Sequence, residues 1–272
     1  ARLMMDQVQL FLRRGPGSFH ALLKEMAKDP AMLIWLDGNS NRRGEPNENF
    51  ARELMELFSL GVGNYTEEDI KEAARSFTGW HVKNRRFWFN KRAHDAGPKT
   101  IFGMTGNFDG NDILRACLEK RACAEFIAEK LFNYYLGTPV SGELRKALGE
   151  LYLASSHNIG PLVEKLVSSR EFYSVHARRS ILSSPADFSI GTLRTLDATA
   201  VAERLPKELS RMGMDILRPP SVKGWQKGRA WLNSNTLLSR YRFANSLAGS
   251  TENGPRIPWD KVKKEGAEAL LA

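Results

Sequence analysis

The chain has 272 residues, of which 42% are hydrophobic and 26% are charged, proportions that are ordinary for a globular protein and allow one large domain or two small ones. No apolar run approaches the roughly 18 residues that cross a bilayer, so the sequence predicts no transmembrane helix. Residues 1–14 lack the basic start and apolar stretch of a signal peptide, so none is predicted there. The formal net charge of +9 favours acidic partners but indicates no chemistry.

Residues that cap helices recur along the chain, each followed by apolar residues at helical spacing. Ser18 and Asp29 begin the first two predicted helices, the second with Pro30 at its first position and ending near Trp35. Residues 37–46, "DGNSNRRGEP", form a predicted loop because Gly, Asn and Pro interrupt regular structure. Further helices are predicted to start near Asn47, Thr66, Asp109, Arg121, Ser141, Pro161, Pro185, residue 200 and Ser234.

The helix predicted from Asn47 to Gly61, "NENFARELMELFSLG", is amphipathic at 100° per residue. Its apolar arc comprises Phe50, Ala51, Leu54, Met55, Leu57 and Phe58, and its polar arc comprises Glu48, Asn49, Arg52, Glu56 and Ser59. Glu48, Arg52 and Glu56 have the i, i+4 spacing of ion pairs, which are common on helix faces that meet only water. The alternative is that these side chains line a polar site. In either case we expect Arg52 to lie within hydrogen-bonding distance of a carboxylate.

Between residues 80 and 104 the pattern changes from helical to strand periodicity. Residues alternate around a turn predicted at Asn84-Arg85, which indicates a small β-hairpin. Helical patterns return after it, and no internal repeat is visible. The predicted fold is therefore mainly α: a single helical domain over residues 1–248 with a small β-hairpin insertion at about 80–104, followed by a loosely attached C-terminal tail over residues 249–272.

The hairpin segment "KNRRFWFNKR" combines five basic residues with three aromatic residues, a composition suited to binding a polyanion. Strand alternation places Arg86 and Trp88 on one face and Phe87 and Phe89 on the other. Arg86 and Trp88 are therefore candidate ligand-binding residues. The alternative is a surface hairpin whose phenylalanines pack on the helices while its charges face water.

Trp225 and Trp231 lie in a turn-rich loop and form a second pair of candidate ligand-binding residues. Exposed tryptophan rings can form a platform for sugars. The alternative is that the two rings are buried and fix a long loop that lacks regular structure.

His94 and Asp95, in "AHDAGPKT", are the candidate acid–base residues. A neighbouring His and Asp can bind a divalent metal or exchange protons, and Glu53 or Glu56 could complete such a catalytic site. The sequence does not identify a metal. The alternative is a loop in which Asp95 accepts hydrogen bonds from backbone amides ahead of Gly97.

Motifs of the common hydrolases and nucleotide-binding proteins are absent from the sequence, which contains no Gly-x-Ser-x-Gly, no phosphate-binding loop and no His-Glu-x-x-His. The two cysteines, Cys117 and Cys123, lack the Cys-x-x-Cys spacing of a zinc site. A disulfide between them requires a turn in the intervening segment, and two buried free thiols are the alternative.

Five segments, in the right order, resemble the signature of a bacterial family known as domain of unknown function 1800. The longest is "PNENFARELMELFSLGVGNYTEEDIKEAARSFTGW". The segment "HDAGPKTIFGMTGNFDGNDIL" is similar to the family's His-Asp-x-Gly-x-Lys-Thr stretch, and "RPPSVKGWQKGRAWLNSNTLLSRYRFAN" is similar to its Pro-Pro-x-x-x-Gly-Trp stretch. The resemblance covers roughly residues 15–247. Because members usually begin with a further helical region, it implies that this chain is the C-terminal part of a longer protein.

The resemblance implies an exported bacterial protein (periplasmic, cell-surface or extracellular) and implies no established activity. Glu48, Asn49, Arg52, Glu53 and Glu56 match the family signature, which implies that this helix face packs against the fold rather than meeting only water, with Glu48, Asn49 and Arg52 in a structural network. We hypothesise that the polar face of residues 48–56 forms a wall of the main polar cleft, with the neighbouring His-Asp pair close to it.

Two functions remain open from the sequence. The first is a non-catalytic binding or scaffolding protein for an acidic polymer or polysaccharide of the cell surface, or for a co-encoded exported protein, with no nucleic acid expected. The alternative is a metal- or carboxylate-dependent hydrolase that uses Glu53, Glu56, His94 and Asp95. Convergence of those four side chains would distinguish the two.

Overall fold

The structure, a computed structural model, describes residues 2–198, 204–249 and 257–260. Over these residues it contains twelve α-helices and two antiparallel two-stranded hairpins, so the predicted mainly α fold with a small β insertion is confirmed. Most of the predicted tail over residues 249–272 lies outside the described residues.

The helices, in chain order, are α1 Arg2–Arg14, α2 Phe19–Ala27, α3 Pro30–Trp35, α4 Asn49–Glu53, α5 Glu67–Phe77, α6 Gly110–Glu119, α7 Arg121–Leu136, α8 Gly142–Ala154, α9 Ile159–Val167, α10 Pro185–Thr195, α11 Leu205–Arg211 and α12 Ser234–Ala248. The strands are β1 Trp80–Lys83, β2 Arg86–Phe89, β3 Lys99–Ile101 and β4 Met104–Gly106.

The chain divides into two compact units, Ala1–Ser180 and Ile181–Ala272. The first unit contains α1 to α9 and both hairpins. The second contains α10 to α12, which enclose a small core of Leu193, Met212, Phe243 and Leu247. The extent of the single domain predicted over residues 1–248 stays a prediction.

Side-chain caps begin most helices at the predicted positions, because a hydroxyl, carboxylate or amide oxygen there satisfies amides that the first turn leaves without partners. Thr66 shows the full arrangement at the start of α5. Its Oγ1 accepts from the Asp69 backbone N–H at 3.1 Å, while the Asp69 carboxylate accepts from the Thr66 backbone N–H at 2.9 Å. Asp109 caps α6 through the same reciprocal pair with Asp112.

Two predicted helix starts within the described residues are displaced, and a third, near residue 200, lies outside them, with α11 described from Leu205. Asn47 does accept a hydrogen bond from the Asn49 backbone N–H at 2.9 Å, but α4 begins at Asn49, one residue later than a cap at Asn47 requires. Helix α9 begins at Ile159 rather than Pro161 because Asn158 is a side-chain cap, its Oδ1 accepting from the Gly160 N–H at 3.1 Å. Helix α1 was not predicted.

The helix predicted from Asn47 to Gly61 is α-helical only in its first part. A π-helical turn follows α4 over Leu54–Ser59. Its i→i+5 hydrogen bonds place more residues in each turn, so the later side chains rotate away from the arcs predicted at 100° per residue. Ser59, predicted to be polar-facing, is buried and donates to the Leu54 carbonyl oxygen at 2.6 Å. Leu57 and Phe58, predicted to be core-facing, are only half-buried.

The predicted hairpin is confirmed as β1–β2, with Trp80 opposite Phe89 and Lys83 opposite Arg86. Its two-residue turn, Asn84-Arg85, has left-handed backbone angles, φ 52° and 60°. A second hairpin, β3–β4, was not predicted, because its three-residue strands are too short to show a periodicity.

Aromatic contacts join the hairpin to the core of the first unit. Phe50, Phe77, Trp80 and Phe87 form a chain of edge-to-face pairs with ring centroids 4.8, 5.1 and 5.4 Å apart. Helix α6 reaches this cluster through Gly110, where a Cβ atom would lie 2.5 Å from Trp80 Cζ2. The base of the hairpin is therefore tightly packed against the core of the first unit.

The two cysteines are buried free thiols, Cys117 in α6 and Cys123 in α7. Burial raises the pKa of each to about 12, so neither is a reactive thiolate near neutral pH.

Candidate functional site

Asp95 holds the loop after the hairpin against the end of α5. Its Oδ2 accepts from Arg75 Nε at 2.8 Å, its Oδ1 accepts from the Gly97 backbone N–H at 2.9 Å, and its own backbone N–H donates to Thr78 Oγ1 at 2.8 Å. The Arg75 guanidinium lowers the pKa of the Asp95 carboxyl below its usual value. This geometry agrees with the alternative given by the sequence, in which the Asp95 carboxylate accepts hydrogen bonds from nearby backbone amides.

His94 and Lys99 bond to backbone carbonyls of the same region. His94 Nδ1 lies 2.8 Å from the Thr78 carbonyl oxygen, and because a carbonyl only accepts, Nδ1 carries the proton. Lys99 is 1% exposed and donates to the carbonyl oxygens of Asp95 and Gly97 at 2.6 and 3.0 Å, and burial lowers the pKa of its ammonium. These bonds fix the loop between the two hairpins.

Arg52 does bond to carboxylates, as expected from the sequence. Its Nη1 and Nη2 donate to the two oxygens of Glu67 at 2.9 and 2.8 Å, and Nη2 also donates to Glu48 at 2.9 Å. The two-point contact with Glu67 ties the end of α4 to the first turn of α5. Glu67 was not singled out in the sequence, because a partner fifteen residues away on another helix leaves no local signal.

The two polar networks occupy opposite ends of α5. Glu67 and Arg75 are eight residues apart, which corresponds to about 12 Å along a helix axis. Glu56 belongs to the Glu67 end, where its charge adds to burial in raising the pKa of the Tyr65 phenol.

Among the residues that the structure describes, no group of three or more His, Cys, Asp or Glu side chains is placed to hold a metal ion. The described residues include all four for which acid–base chemistry was predicted: Glu53, Glu56, His94 and Asp95. Their catalytic role stays a prediction.

Trp231 is 6% exposed, and Trp225 is half-buried. The burial of Trp231 favours the alternative in which the ring fixes the loop, and ligand binding at Trp225 and Trp231 stays a prediction. Trp231 is the last residue of a short 3₁₀ turn, Gly228–Trp231, that precedes α12, and its carbonyl oxygen accepts from Thr236 Oγ1 at 2.8 Å.

The β1–β2 hairpin carries an open cleft of about 450 Å³ at its tip. The cleft is lined by Lys83, Asn84, Arg86, Phe87 and Trp88. Both ligand-binding candidates of the hairpin, Arg86 and Trp88, therefore lie in one cleft. Lys83 was missed as a candidate, although a two-residue turn at Asn84-Arg85 already places it opposite Arg86.

Like charges face each other across this hairpin. Lys83 and Arg86 are direct partners in the register, an arrangement in which Cβ atoms are about 4.5–5.5 Å apart and equal charges are destabilising. Arg85 beside them has a left-handed backbone, which costs energy for a residue with a side chain. The Lys83 ammonium lies 5.0 Å from the centre of the Trp88 ring. The tip is thus cationic, strained and partly aromatic.

The basic residues of the hairpin are available to a ligand. Lys83, Arg85, Arg86, Lys91 and Arg92 are all exposed, and Trp88 is 42% exposed. Within the part of the chain that the structure describes, none of these five cations forms an ion pair.

The base of the hairpin holds this surface in a fixed position. The Asn39 side chain accepts from the Val82 N–H at 2.6 Å and donates to the Val82 carbonyl oxygen at 3.2 Å. His81 Nε2 lies 3.2 Å from the Asn41 carbonyl oxygen, and Lys28 Nζ lies 5.0 Å from the centre of the Trp80 ring. A ligand would therefore meet a preformed site rather than a loose loop.

The fold and this site define a mainly α-helical protein that presents a cationic, aromatic β-hairpin. The whole chain, residues 1–272, matches the family described as "Protein of unknown function (DUF1800)", and the chain belongs to this family. The resemblance found in the sequence is thereby confirmed, whereas the position of the chain within a longer member stays a prediction. No curated protein and no solved structure matches it.

No helix in the described part of the chain is both long enough and apolar enough to cross a membrane.

Proposed function

We propose that this chain belongs to an exported bacterial protein that binds an acidic polysaccharide of the cell surface at the β1–β2 hairpin, without transforming it. Export and a bacterial source are supported by the family resemblance alone, as is a co-encoded exported protein as a further partner. The binding role is supported by the geometry of the hairpin.

The observation that carries the proposal is the pairing of Lys83 with Arg86 in the cleft that also contains Trp88. Two cations held side by side without an acidic partner repel each other, and a bound carboxylate placed between them would replace that repulsion with two attractive contacts. The indole ring beside them offers a flat apolar surface against which the face of a sugar ring can pack.

A polysaccharide fits this surface better than a single-stranded nucleic acid does. Proteins that bind single strands stack successive bases on several aromatic side chains. Trp88 is the one exposed aromatic residue of the cleft. Phe87 also lines the cleft, but it is only partly exposed and its ring packs edge-to-face on Trp80, while Phe89 lies on the opposite face of the ribbon.

The test is the affinity of the purified protein for polygalacturonate, a polymer of carboxylate-bearing sugars, measured by isothermal titration calorimetry. We expect Arg86→Ala and Trp88→Ala each to weaken binding by about tenfold, corresponding to about 1.4 kcal/mol. Trp35→Ala, at an exposed tryptophan of α3, and Arg178→Ala, at an exposed arginine outside the hairpin, are the matched controls that keep the affinity of the parent protein. Equal affinity in all five proteins would refute a hairpin site.

Export is tested separately, by cell fractionation of the bacterium that encodes the chain. We expect the protein outside the inner membrane. Its recovery in the cytoplasm alone would contradict this part of the proposal.

A further inference from the structure

We infer that the acidic polymer is held across two segments of the chain, with Arg42 and Arg43 of the 37–46 loop forming a second subsite beside the hairpin. The inference rests on the proposed function. It specifies that the ligand is a stretch of several linked carboxylate-bearing sugars, rather than a single anionic group.

Arg42 is placed next to β1 by a relay of hydrogen bonds. Its Nε donates to the Asn39 carbonyl oxygen at 3.3 Å, and the Asn39 side chain bonds to both backbone groups of Val82. The Arg42 guanidinium is therefore bonded to Asn39. Asn39 in turn flanks β1 at Val82, one position before Lys83.

Arg43 is placed next to the end of the hairpin segment. Its backbone N–H donates to the Ala93 carbonyl oxygen at 2.8 Å, which brings it alongside Lys91 and Arg92. A tight turn through Gly44, with φ 90°, closes the loop immediately after it.

The loop adds two exposed cations to the five of the hairpin. Arg42 and Arg43 are exposed, and neither forms an ion pair with any residue that the structure describes. The loop also carries two acids. Asp37 accepts a hydrogen bond from the Asn49 side chain at 3.3 Å, while Glu45 is exposed. The two segments together present seven exposed cations.

The distance between the two subsites sets the length of the ligand. Arg86 and Phe89 are the ends of β2, and at 3.4 Å per residue they are about 10 Å apart. Arg43 bonds to Ala93, which follows Phe89 along the chain by four residues. Contact with both the hairpin tip and Arg43 therefore calls for a ligand of several linked sugars.

The experiment compares a galacturonate disaccharide with a dodecasaccharide in calorimetric titrations. The parent protein is expected to bind the longer chain at least about tenfold more tightly. Arg42→Ala/Arg43→Ala should remove most of this gain in affinity for the longer chain and leave the affinity for the disaccharide unchanged within about twofold. Arg42→Lys/Arg43→Lys keeps the charges and should retain much of the gain. Lys146→Ala/Arg178→Ala removes two exposed charges elsewhere in the unit Ala1–Ser180 and serves as the matched control.

The outcomes separate this inference from the function on which it rests. If Arg86→Ala abolishes binding but Arg42→Ala/Arg43→Ala weakens the disaccharide and the dodecasaccharide equally or not at all, the second subsite is wrong and the hairpin site stands. If Arg86→Ala has no effect on either ligand, the proposed function itself fails. Equal or tighter binding of an oligothymidylate of matched length would overturn the polysaccharide in favour of a nucleic acid.

Discussion

At the scale of single residues, the sequence could suggest which side chains are polar anchors but not what they anchor to. The interpretation of Asp95 as a cap for a nearby amide needed only local information and describes its contact with Gly97. Its partner Arg75 lies twenty residues earlier on another element, and their meeting depends on how the loop docks on α5. Long-range ion pairs are therefore visible only after the fold is known.

Asp95 gives a pH-dependent prediction. Because Arg75 lowers the folded-state pKa of this carboxyl, the ionised form adds stability above its usual pKa of 3.8, and that stability is lost as the pH falls through the lower folded-state value. We expect Asp95→Asn to reduce the free energy of unfolding at pH 7 by about 1–3 kcal/mol, and the difference from the parent protein to shrink below about pH 4. Urea unfolding across this pH range measures it. Asp6→Asn, at an exposed aspartate of α1, is the control and should change stability by less than about 0.5 kcal/mol. A loss of stability in Asp95→Asn that stayed constant with pH would contradict the role of the Asp95 charge.

Tyr152 gives a prediction of the opposite sign. Its side chain is fully buried in α8, and no group of the described residues forms a hydrogen bond with its hydroxyl. A buried polar group without a partner costs stability, while the ring itself packs edge-to-face on His157 with centroids 5.4 Å apart. We expect Tyr152→Phe, which keeps the ring, to raise the free energy of unfolding by about 1 kcal/mol in chemical denaturation. A loss of stability would show that the hydroxyl has a partner in solution.

At the scale of elements, capped helices and the hairpin turn were predictable because their signals are short and local. The π-helical turn was not, since the assumption of 100° per residue already presumes a regular α-helix. This one irregularity accounts for the wrong placement of Ser59, Leu57 and Phe58. The close approach of α6 to the hairpin base was equally invisible, because a glycine at a helix start looks the same whether it is crowded or free.

Gly110 tests that close approach. An added Cβ would lie 2.5 Å from Trp80 and 2.6 Å from Phe77, and these rings are held by their own aromatic neighbours. We expect Gly110→Ala to destabilise the first unit by about 1–3 kcal/mol through overpacking, measured by thermal unfolding. Gly142→Ala is the matched control, since no atom lies within 4 Å of its added Cβ. Equal stability of the two variants would show that the helix can shift without cost.

The turn of the hairpin predicts a conflict between stability and binding. Type I′ turns favour Asn-Gly, whereas this chain has Arg85 at the second position with φ 60°. We expect Arg85→Gly to raise the free energy of unfolding by about 1 kcal/mol, because it removes both the left-handed strain and a like charge beside Lys83 and Arg86. The same change should weaken polygalacturonate binding, whereas Arg85→Lys should alter neither property much. A variant that gained stability and kept full affinity would show that Arg85 does not contact the ligand.

At the scale of the whole molecule, helix caps and apolar periodicity gave the class of fold, and composition gave the excess of positive charge but not its location. Seven exposed cations lie on the hairpin and the adjoining loop. Their proximity follows from tertiary contacts, such as that of Asn39 with Val82, that no pattern in the sequence indicates. The division into the units Ala1–Ser180 and Ile181–Ala272 was likewise not marked by any linker in the sequence. The family match covers the full chain but does not indicate a reaction.

The concentration of charge makes binding sensitive to salt. The screening length falls from about 10 Å at 0.1 M salt to about 3 Å at 1 M, so exposed cations lose most of their attraction for a polyanion. We expect the affinity for polygalacturonate to fall by at least about tenfold over this range, as measured by calorimetry. Packing on Trp88 should persist, so a neutral oligosaccharide should show no such decline. Salt-independent binding of polygalacturonate would mean that the cations are not the recognition element.

The contact between Asn39 and Val82 has one more consequence, which concerns self-association. A two-stranded ribbon has open edges whose free backbone groups can recruit a strand from another copy and begin aggregation. On the outer side of β1, one asparagine amide occupies both the N–H and the carbonyl oxygen of Val82, as a neighbouring strand would. The Asn39 side chain thereby occupies the edge of the hairpin while leaving its faces open, so that two copies of the chain at high concentration are kept from pairing into a shared sheet on that side.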